Sequence, residues 1–335
     1  MPAPNPEKIK VLKQVARPDI VFAVARGPGT GQLFCGGSDS AVYEIDMDQP
    51  KPEARELGRH ERYVTSLALA GTSLVSGGYD GRLIWWNIES RSRLRTVDAH
   101  RKYIRHVAAT PDGRVVVSVA DDMVCRAWDV ASGQLIHELR GHDELTPTHF
   151  PSMLFACAIS ADGRRLATGD KVGHITVWDL ESGAKLTALD APAFYTWDPI
   201  QRHHSIGGIR SLAFSPDGAR LAVGGSGKIA NIDHLDGKAL VNVFDWQTGK
   251  RTHEFPSDKF KGLVEYLAFH PRGGWLMAAG GGDKDGFLTF IDVAGGKVVA
   301  QEPVPMYVHD LALNETGDTI DAVGHRKIVV LGMKG

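Results

Sequence analysis

Residues 109–142 read ATPDGRVVVSVADDMVCRAWDVASGQLIHELRGH. Pro111-Asp112-Gly113 makes a tight turn, because proline presets φ and glycine accepts a positive one. Short apolar and alternating runs follow, each bounded by Gly, Asp or Ser. Period-two patterning over four to eight residues, punctuated this way, predicts half-buried strands. The same grammar recurs in AISADGRRLATGDKVGHITVWDLESGAKLTAL from Ala158, and in IRSLAFSPDGARLAVGG from Ile209, followed by VNVFDWQTGKRTHEF from Val241. No stretch sustains a 3.6-residue apolar period, so the chain is expected to be all-β.

Working outward, a strand-like run ends in Trp-Asp or a stand-in for it at seven places. These are Ile45-Asp46, Trp86-Asn87, Trp128-Asp129, Trp178-Asp179, Phe244-Asp245, Ile291-Asp292 and Leu331-Gly332. The intervals are 41, 42, 50, 66, 47 and 40 residues. A basic period near 41 with three stretched intervals marks a repeat built from one four-stranded unit. Four-stranded antiparallel sheets of this kind have two apolar faces, and a ring of blades covers each with its neighbour. The count predicts seven blades in one domain over residues 1–335. The last repeat stops after three strands, and an unpaired edge there would be an aggregation hazard. A spare strand stands at the other end, KIKVLKQV, at about 8–15. It is expected to complete the seventh blade and close the ring.

The repeats resemble the WD-repeat β-propeller family over about residues 8–335. The most specific motif is a His between blades, a Ser in the second strand, an Asp at the following turn and a Trp in the third strand. Two repeats carry it in full: His60, Ser76, Asp80 and Trp86, then His100, Ser118, Asp122 and Trp128. The resemblance implies that each set forms a buried hydrogen-bonded chain. The chemistry suits this, since the indole can only donate while a hydroxyl both donates and accepts. The fourth repeat keeps His142, Thr168 and Trp178 but has Val172 at the expected acidic position, and the first has Ile45 where Trp would stand. The fifth to seventh lack the Trp and are expected to rely on apolar packing.

Composition bounds the function. Of 335 residues, 43% are hydrophobic and 23% charged, with a formal net charge of -2. Near-neutrality supplies no global attraction to nucleic acid or to anionic membrane. No run approaches the length of a membrane span, and MPAPNPEKIK lacks the apolar core of a signal peptide. Three cysteines, Cys35, Cys125 and Cys157, fall inside expected strands, which argues against a disulfide framework. A cytoplasmic protein is expected.

A His, Ser and Asp together invite a triad reading, but the trio recurs at matched repeat positions and ends on an indole each time, as a structural network does. Gly224-Gly225-Ser226-Gly227-Lys228 fails the spacing of a phosphate-binding loop and opens no helix. Asp283-Lys284-Asp285-Gly286 lacks the later ligands of a calcium loop. Histidines and carboxylates near the insertions have no metal-ligand spacing, so neither metal nor cofactor is expected. Arg91, Arg93 and Arg95 alternate on one face of an outer strand, with Arg101, Lys102 and Arg105 beyond. Cations on an edge strand discourage edge pairing.

What departs from the repeat carries the functional expectation. Long segments stand at 143–153, 190–206, 225–238 and 280–286. By the strand order the first two link one blade to the next and the others join a second strand to a third, which puts all four on one face of blades 3 to 6. Between Pro192 and Pro199 the second segment carries Phe194, Tyr195 and Trp197. His203, His204, His149, Phe150 and His234 complete the expected contact set. The resemblance implies a non-catalytic scaffold binding a partner protein or peptide there. The alternative is an enzyme or small-ligand protein with its site at the central mouth of the same face.

Overall fold

The structure is a computed structural model describing residues 3–29, 31–198, 204–230, 234–282 and 285–333, with the backbone alone at 204–206. The chain divides into two compact units: one holds Ile9–Arg140 and the segment from His309 on, the other Gly141–Val308 and the segment up to Lys8. Among the described residues every regular element is a strand except two short 3-10 turns.

The first unit contains a six-stranded sheet in the order Val308–Leu313, Thr319–Gly332, Lys10–Arg26, Gln32–Gly37, Ala41–Asp46 and Ala54–Arg59. Sheet 2 follows, of Val64–Ala70, Ser73–Gly78, Arg82–Asn87 and Ser92–Asp98. Sheet 3 has Ile104–Ala109, Val115–Ala120, Cys125–Asp129 and Leu135–Leu139. The second unit contains sheet 4, of Leu154–Ile159, Arg165–Asp170, His174–Asp179 and Lys185–Asp190. Sheet 5 has Ile209–Phe214, Arg220–Ser226, Lys238–Asp245 and Lys250–Lys261. Sheet 6 has Leu263–Phe269, Leu276–Gly281, Gly286–Asp292 and Lys297–Val304. A two-stranded hairpin, Tyr195–Asp198 with His204–Gly207, stands between sheets 4 and 5 in the chain.

Among the described residues, the expectation of seven four-stranded blades is corrected to one six-stranded and five four-stranded sheets, besides the two-stranded hairpin. The physical reason is strand continuity. Lys10–Arg26 runs without a break, pairing first with the last strand (Val11 with Leu331, Gln14 with Val329, Val15 with Ile328) and then with Gln32–Gly37. Thr319–Gly332 is continuous in the same way, with Arg326 held at φ of 57° within it. What reads as two repeats is therefore one hydrogen-bonded sheet.

Inner strands are buried on both faces, as in Arg82–Asn87, whereas outer strands such as Ser92–Asp98 expose alternate residues. Facing sheets within each unit share their cores. Trp85, Leu83, Ile104 and Val107 join sheets 2 and 3. Ile175, Val177, Ile209 and Phe244 join sheets 4 and 5. Val241, Val264, Leu267 and Ile291 join sheets 5 and 6. Fully burying side chains of this size is worth about 1.5–3 kcal/mol each. The expected turns form as read: Gly113 and Gly218 adopt φ of 70° and 71°.

Removing residues 1–15 exposes the edge of Lys327–Gly332 and should sharply lower the melting temperature or cause aggregation; an unchanged thermal melt would contradict this pairing. A second prediction concerns Asp310, whose carboxylate accepts N–H bonds from Val24 at 2.9 Å and Leu311 at 2.8 Å. Burial pushes its pKa up to about 7, against the pull of those two bonds. A raised carboxyl contributes stability that is full below the unfolded value of about 3.9 and is lost as pH rises through the folded value. The difference in melting temperature between Asp310→Asn and the wild type should therefore grow more positive from pH ~5.5 to pH ~8.5; circular-dichroism melts at both pH values check it.

Candidate partner-binding site

The sequence-expected networks form, and they form in three sheets. In sheet 2, His60 Nδ1 lies 3.0 Å from Asp80, its Nε2 lies 2.7 Å from Ser76 Oγ, and Trp86 Nε1 donates to that oxygen at 2.8 Å. In sheet 3, His100 lies 3.0 Å from Asp122 and 2.8 Å from Ser118, and Trp128 donates to Ser118 at 3.0 Å. In sheet 4, His142, Thr168 and Trp178 form the same chain with distances of 2.8 and 3.0 Å. The acid there is Asp170, 2.9 Å from His142 Nδ1, and not the residue at 172 where the repeat spacing led. Burial works to raise the carboxyl of Asp170, but the hydrogen bonds from His142 and His174 win and hold it at about 2. Asp80 and Asp122 are lowered in the same way against their own burial. Burial lowers His100. An imidazole with N–H toward the carboxylate, accepting from the hydroxyl, satisfies every atom of the chain.

Sheets 5 and 6 lack the Trp. In sheet 5, Asn242 is fully buried and its amide atoms have no hydrogen-bond partner among the described residues. The basic stretch is split by the fold. Arg91 pairs with Glu44 at 2.6 Å, while Arg105 lies in the first strand of sheet 3 and binds Asp121 at 2.7 Å.

The second unit brings three of the four expected insertions together. The 143–153 segment is a compact loop: Thr146 N donates to Phe150 O at 2.7 Å, and His149 sits at the reversal with φ of 63°. Its tip meets the hairpin. Thr148 Oγ1 lies 3.2 Å from Tyr195 Oη, and the Phe150 and Trp197 rings are 5.1 Å apart. The hairpin in turn holds the 225–238 segment, where Ile229 N donates to Thr196 Oγ1 at 3.1 Å. The fourth segment contracts. Residues 280–281 and 286 lie in strands, and the 47-residue interval that contains it is lengthened by the long strand Lys250–Lys261.

The three aromatics of this segment differ in burial, Phe194 closing the 3-10 turn Pro192–Phe194 and Tyr195 and Trp197 lying in the strand. Phe194 is fully buried in the core with Leu189, Ile209 and Leu240, so it anchors the segment and offers no contact surface. Tyr195 and Trp197 are half-buried, and Phe150 is 44% exposed. His234 is exposed in a turn. His203 lies outside the described residues, as does the side chain of His204.

His149 instead lines a hollow of about 470 Å³ with Asp143, Glu144, Leu145, Thr146, Pro147 and His174. The hydrogen bond to Asp170 raises the pKa of His174, with Asp190 and Asp143 adding to it. Among the described residues no group of three His, Cys, Asp or Glu side chains is placed to hold a metal ion, and no helix is long and apolar enough to cross a membrane.

The sequence reading missed an aromatic ladder in the first unit. Phe22, Tyr63, Tyr79 and Tyr103 follow one another at centroid distances of 5.8, 5.7 and 4.4 Å. Phe22 lies in a strand and the three tyrosines in links beside the strands of sheets 2 and 3, far apart in sequence, so no local motif announces them.

The networks carry a stability prediction. Trp128→Phe keeps the ring but leaves the Ser118 hydroxyl short of a donor, a loss of about 1–3 kcal/mol. Denaturant unfolding should show it, with Ser118→Ala and Ser76→Ala behaving alike. A variant that keeps its stability would contradict the structural role.

Comparison with known proteins agrees with this geometry. The family model "WD domain, G-beta repeat" matches residues 52–87, 91–129 and 197–232. Telomerase protein component 1 of Mus musculus is 26% identical over 310 residues, which is 91% of this chain and 10% of that protein. Protein groucho of Drosophila melanogaster is 27% identical over 229 residues, covering 65% of this chain and 28% of that one. Nuclear distribution protein PAC1 of Arthroderma otae is 28% identical over 221 residues, covering 58% and 45%. The chain thus spans about a tenth of the telomerase components it matches. Three stretches matching the repeat model, relatives aligned along most of the chain and three His–Ser/Thr–Trp networks make this chain similar to WD-repeat proteins.

Proposed function

We propose that the protein is an interaction scaffold whose second unit binds a partner protein or peptide on the surface built by the 143–153 loop and the Tyr195–Asp198 hairpin. The observation that carries this is the paired display of Phe150 and Trp197 above a buried Phe194. Aromatics of this kind dominate interface energies because they bury a large area at little entropic cost. The minimal turns at Asp112-Gly113, Asp162-Gly163 and Asp217-Gly218 tie back into their own sheets through Thr110, Ser160 and Ser215. Elaboration is therefore concentrated away from them.

Anchoring and contact are separable here. Tyr195 and Trp197 stand on the anchored hairpin without filling the core, while Phe194 fills it. Replacing Trp197 and Tyr195 with Ala should each weaken partner capture by roughly 2 kcal/mol or more, leaving the melting temperature nearly unchanged. Phe194→Ala should instead cost about 3–5 kcal/mol of stability. Quantitative pull-down beside thermal melts tests both. A Trp197/Tyr195 double variant that binds normally yet unfolds more easily would reduce the loop to a plug.

A further inference from the structure

In every sheet the first strand carries one extra residue against the second. Phe22, Thr65, Arg105, Phe155, Arg210 and Glu265 stand where the register slips. A bulge re-aims the side chain of its extra residue, so the six positions are equivalent. Two of them are arginines, and their surroundings differ.

Arg105 is fully engaged. Its Nε and Nη2 donate to Asp121 at 2.8 and 2.7 Å, and its Nη1 donates to Tyr79 Oη at 2.7 Å. Asp121 directly follows Ala120, the register partner of Ile104. In sheet 5 the residue after Gly225, the register partner of Ile209, is Ser226. That serine is fully buried, and its hydroxyl donates to Gly227 O at 3.2 Å. In sheet 4 the matching position holds Lys171, a buried cation. Arg210 has therefore lost the acid that its counterpart keeps.

Its Nε is buried with no hydrogen-bond partner among the described residues. Its guanidinium carbon lies 4.0 Å from the centre of the Phe155 ring. Gly208, with φ of 96°, lets the chain pass close to Phe155 and to the backbone of Lys171, where a Cβ would come within 3.2 Å of the ring. On the neighbouring sheet Glu265 accepts a hydrogen bond from Tyr307 Oη at 2.8 Å. Arg210 as a residue is half-buried, and its charge acts on the Tyr307 hydroxyl with no ion pair among the described residues; a cation held partly out of water without a paired carboxylate is costly. The planar fork of arginine matches a carboxylate in two parallel bonds, and an aromatic ring behind it keeps the fork in place.

We propose that Arg210, backed by Phe155, is a receptor for one carboxylate group supplied from outside the chain. The carboxylate belongs either to an acidic side chain of a partner peptide or to a small dicarboxylate. The site needs none of the aromatic contacts proposed above, so it stands or falls separately from them.

Thermal melts of the full chain test it, on wild type, Arg210→Met and Arg105→Met. The additives are sodium glutarate, inorganic phosphate, a Gly-Glu repeat peptide and its Gly-Gln counterpart, each against sodium chloride at matched ionic strength. In chloride, Arg210→Met should melt at or above the wild type, because it removes an unpaired charge, while Arg105→Met should melt below it. Glutarate or the Gly-Glu peptide at ~50 mM carboxylate should raise the wild-type melting temperature by ~2 °C or more and leave Arg210→Met unmoved. A shift with glutarate identifies a small-molecule site; a shift with the Gly-Glu peptide alone identifies a partner's acidic chain. The proposal is overturned if Arg210→Met melts below wild type in chloride, which would mean that Arg210 has an internal partner. It is equally overturned if phosphate works as well as carboxylate, or if no carboxylate moves wild type more than Arg210→Met.

Discussion

Burial of both faces of each sheet is the constraint on which the rest of this structure depends. A strand such as Arg82–Asn87 is covered on either side, and this is possible only when another sheet lies against each face. Leu33, Leu74, Leu83, Ile104 and Val264 are all essentially inaccessible to water. The chain meets the demand by repetition. A four-stranded sheet is copied with small changes, and within each of the two compact units one copy supplies a cover for the next. In the six-stranded sheet the strand Gln32–Gly37 ends in Gly36-Gly37, and a Cβ on Gly36 would lie 2.4 Å from Val64 of the facing sheet. Sheet 2 repeats the pattern, where Gly77 would meet Ile104 at 2.7 Å. Small residues at these places set how closely sheets approach.

Polar chains tie this apolar packing into a single register. A His outside the sheet reaches through a hydroxyl to an indole inside it, and the carboxylate at the turn fixes the imidazole. In sheets 2, 3 and 4 the geometry agrees to within a few tenths of an ångström. Such chains are worth keeping only when every member is satisfied, and these are. Their repetition is what separates them from a catalytic constellation. The proposed binding surface is built from residues the repeat does not need: the hairpin and the loop at 143–153.

Much of this was legible in the sequence because it rests on local chemistry. Pro-Asp-Gly turns, period-two strands and the spaced His, Ser, Asp and Trp each declare themselves within about a repeat. The errors have equally physical origins. Seven sequence repeats gave an expected seven blades, but hydrogen bonding between Lys10–Arg26 and its two neighbours merges two of them into one sheet. The register of its pairing with Thr319–Gly332 slips between Ala16 and Ile20, around Pro18, yet the chain stays in one strand. Asp170 escaped notice because it acts two residues before the position that the other repeats use. Phe194 was grouped with Tyr195 and Trp197 because adjacency in sequence does not reveal which way each side chain points. The contrast between Arg105 and Arg210 is invisible to a linear reading, since it turns on Asp121 and Ser226 in neighbouring strands.

The central claim is that contact with partners is made where the repeat is interrupted, in the second unit. Site-specific photo-crosslinking tests it most directly. A benzophenone amino acid is placed at position 150, and separately at position 162 in the minimal turn of sheet 4, and each protein is irradiated in native lysate. The account predicts a discrete adduct from position 150 that is lost when Trp197 is replaced by Ala, and none from position 162. Adducts from position 162 with none from position 150 would contradict it.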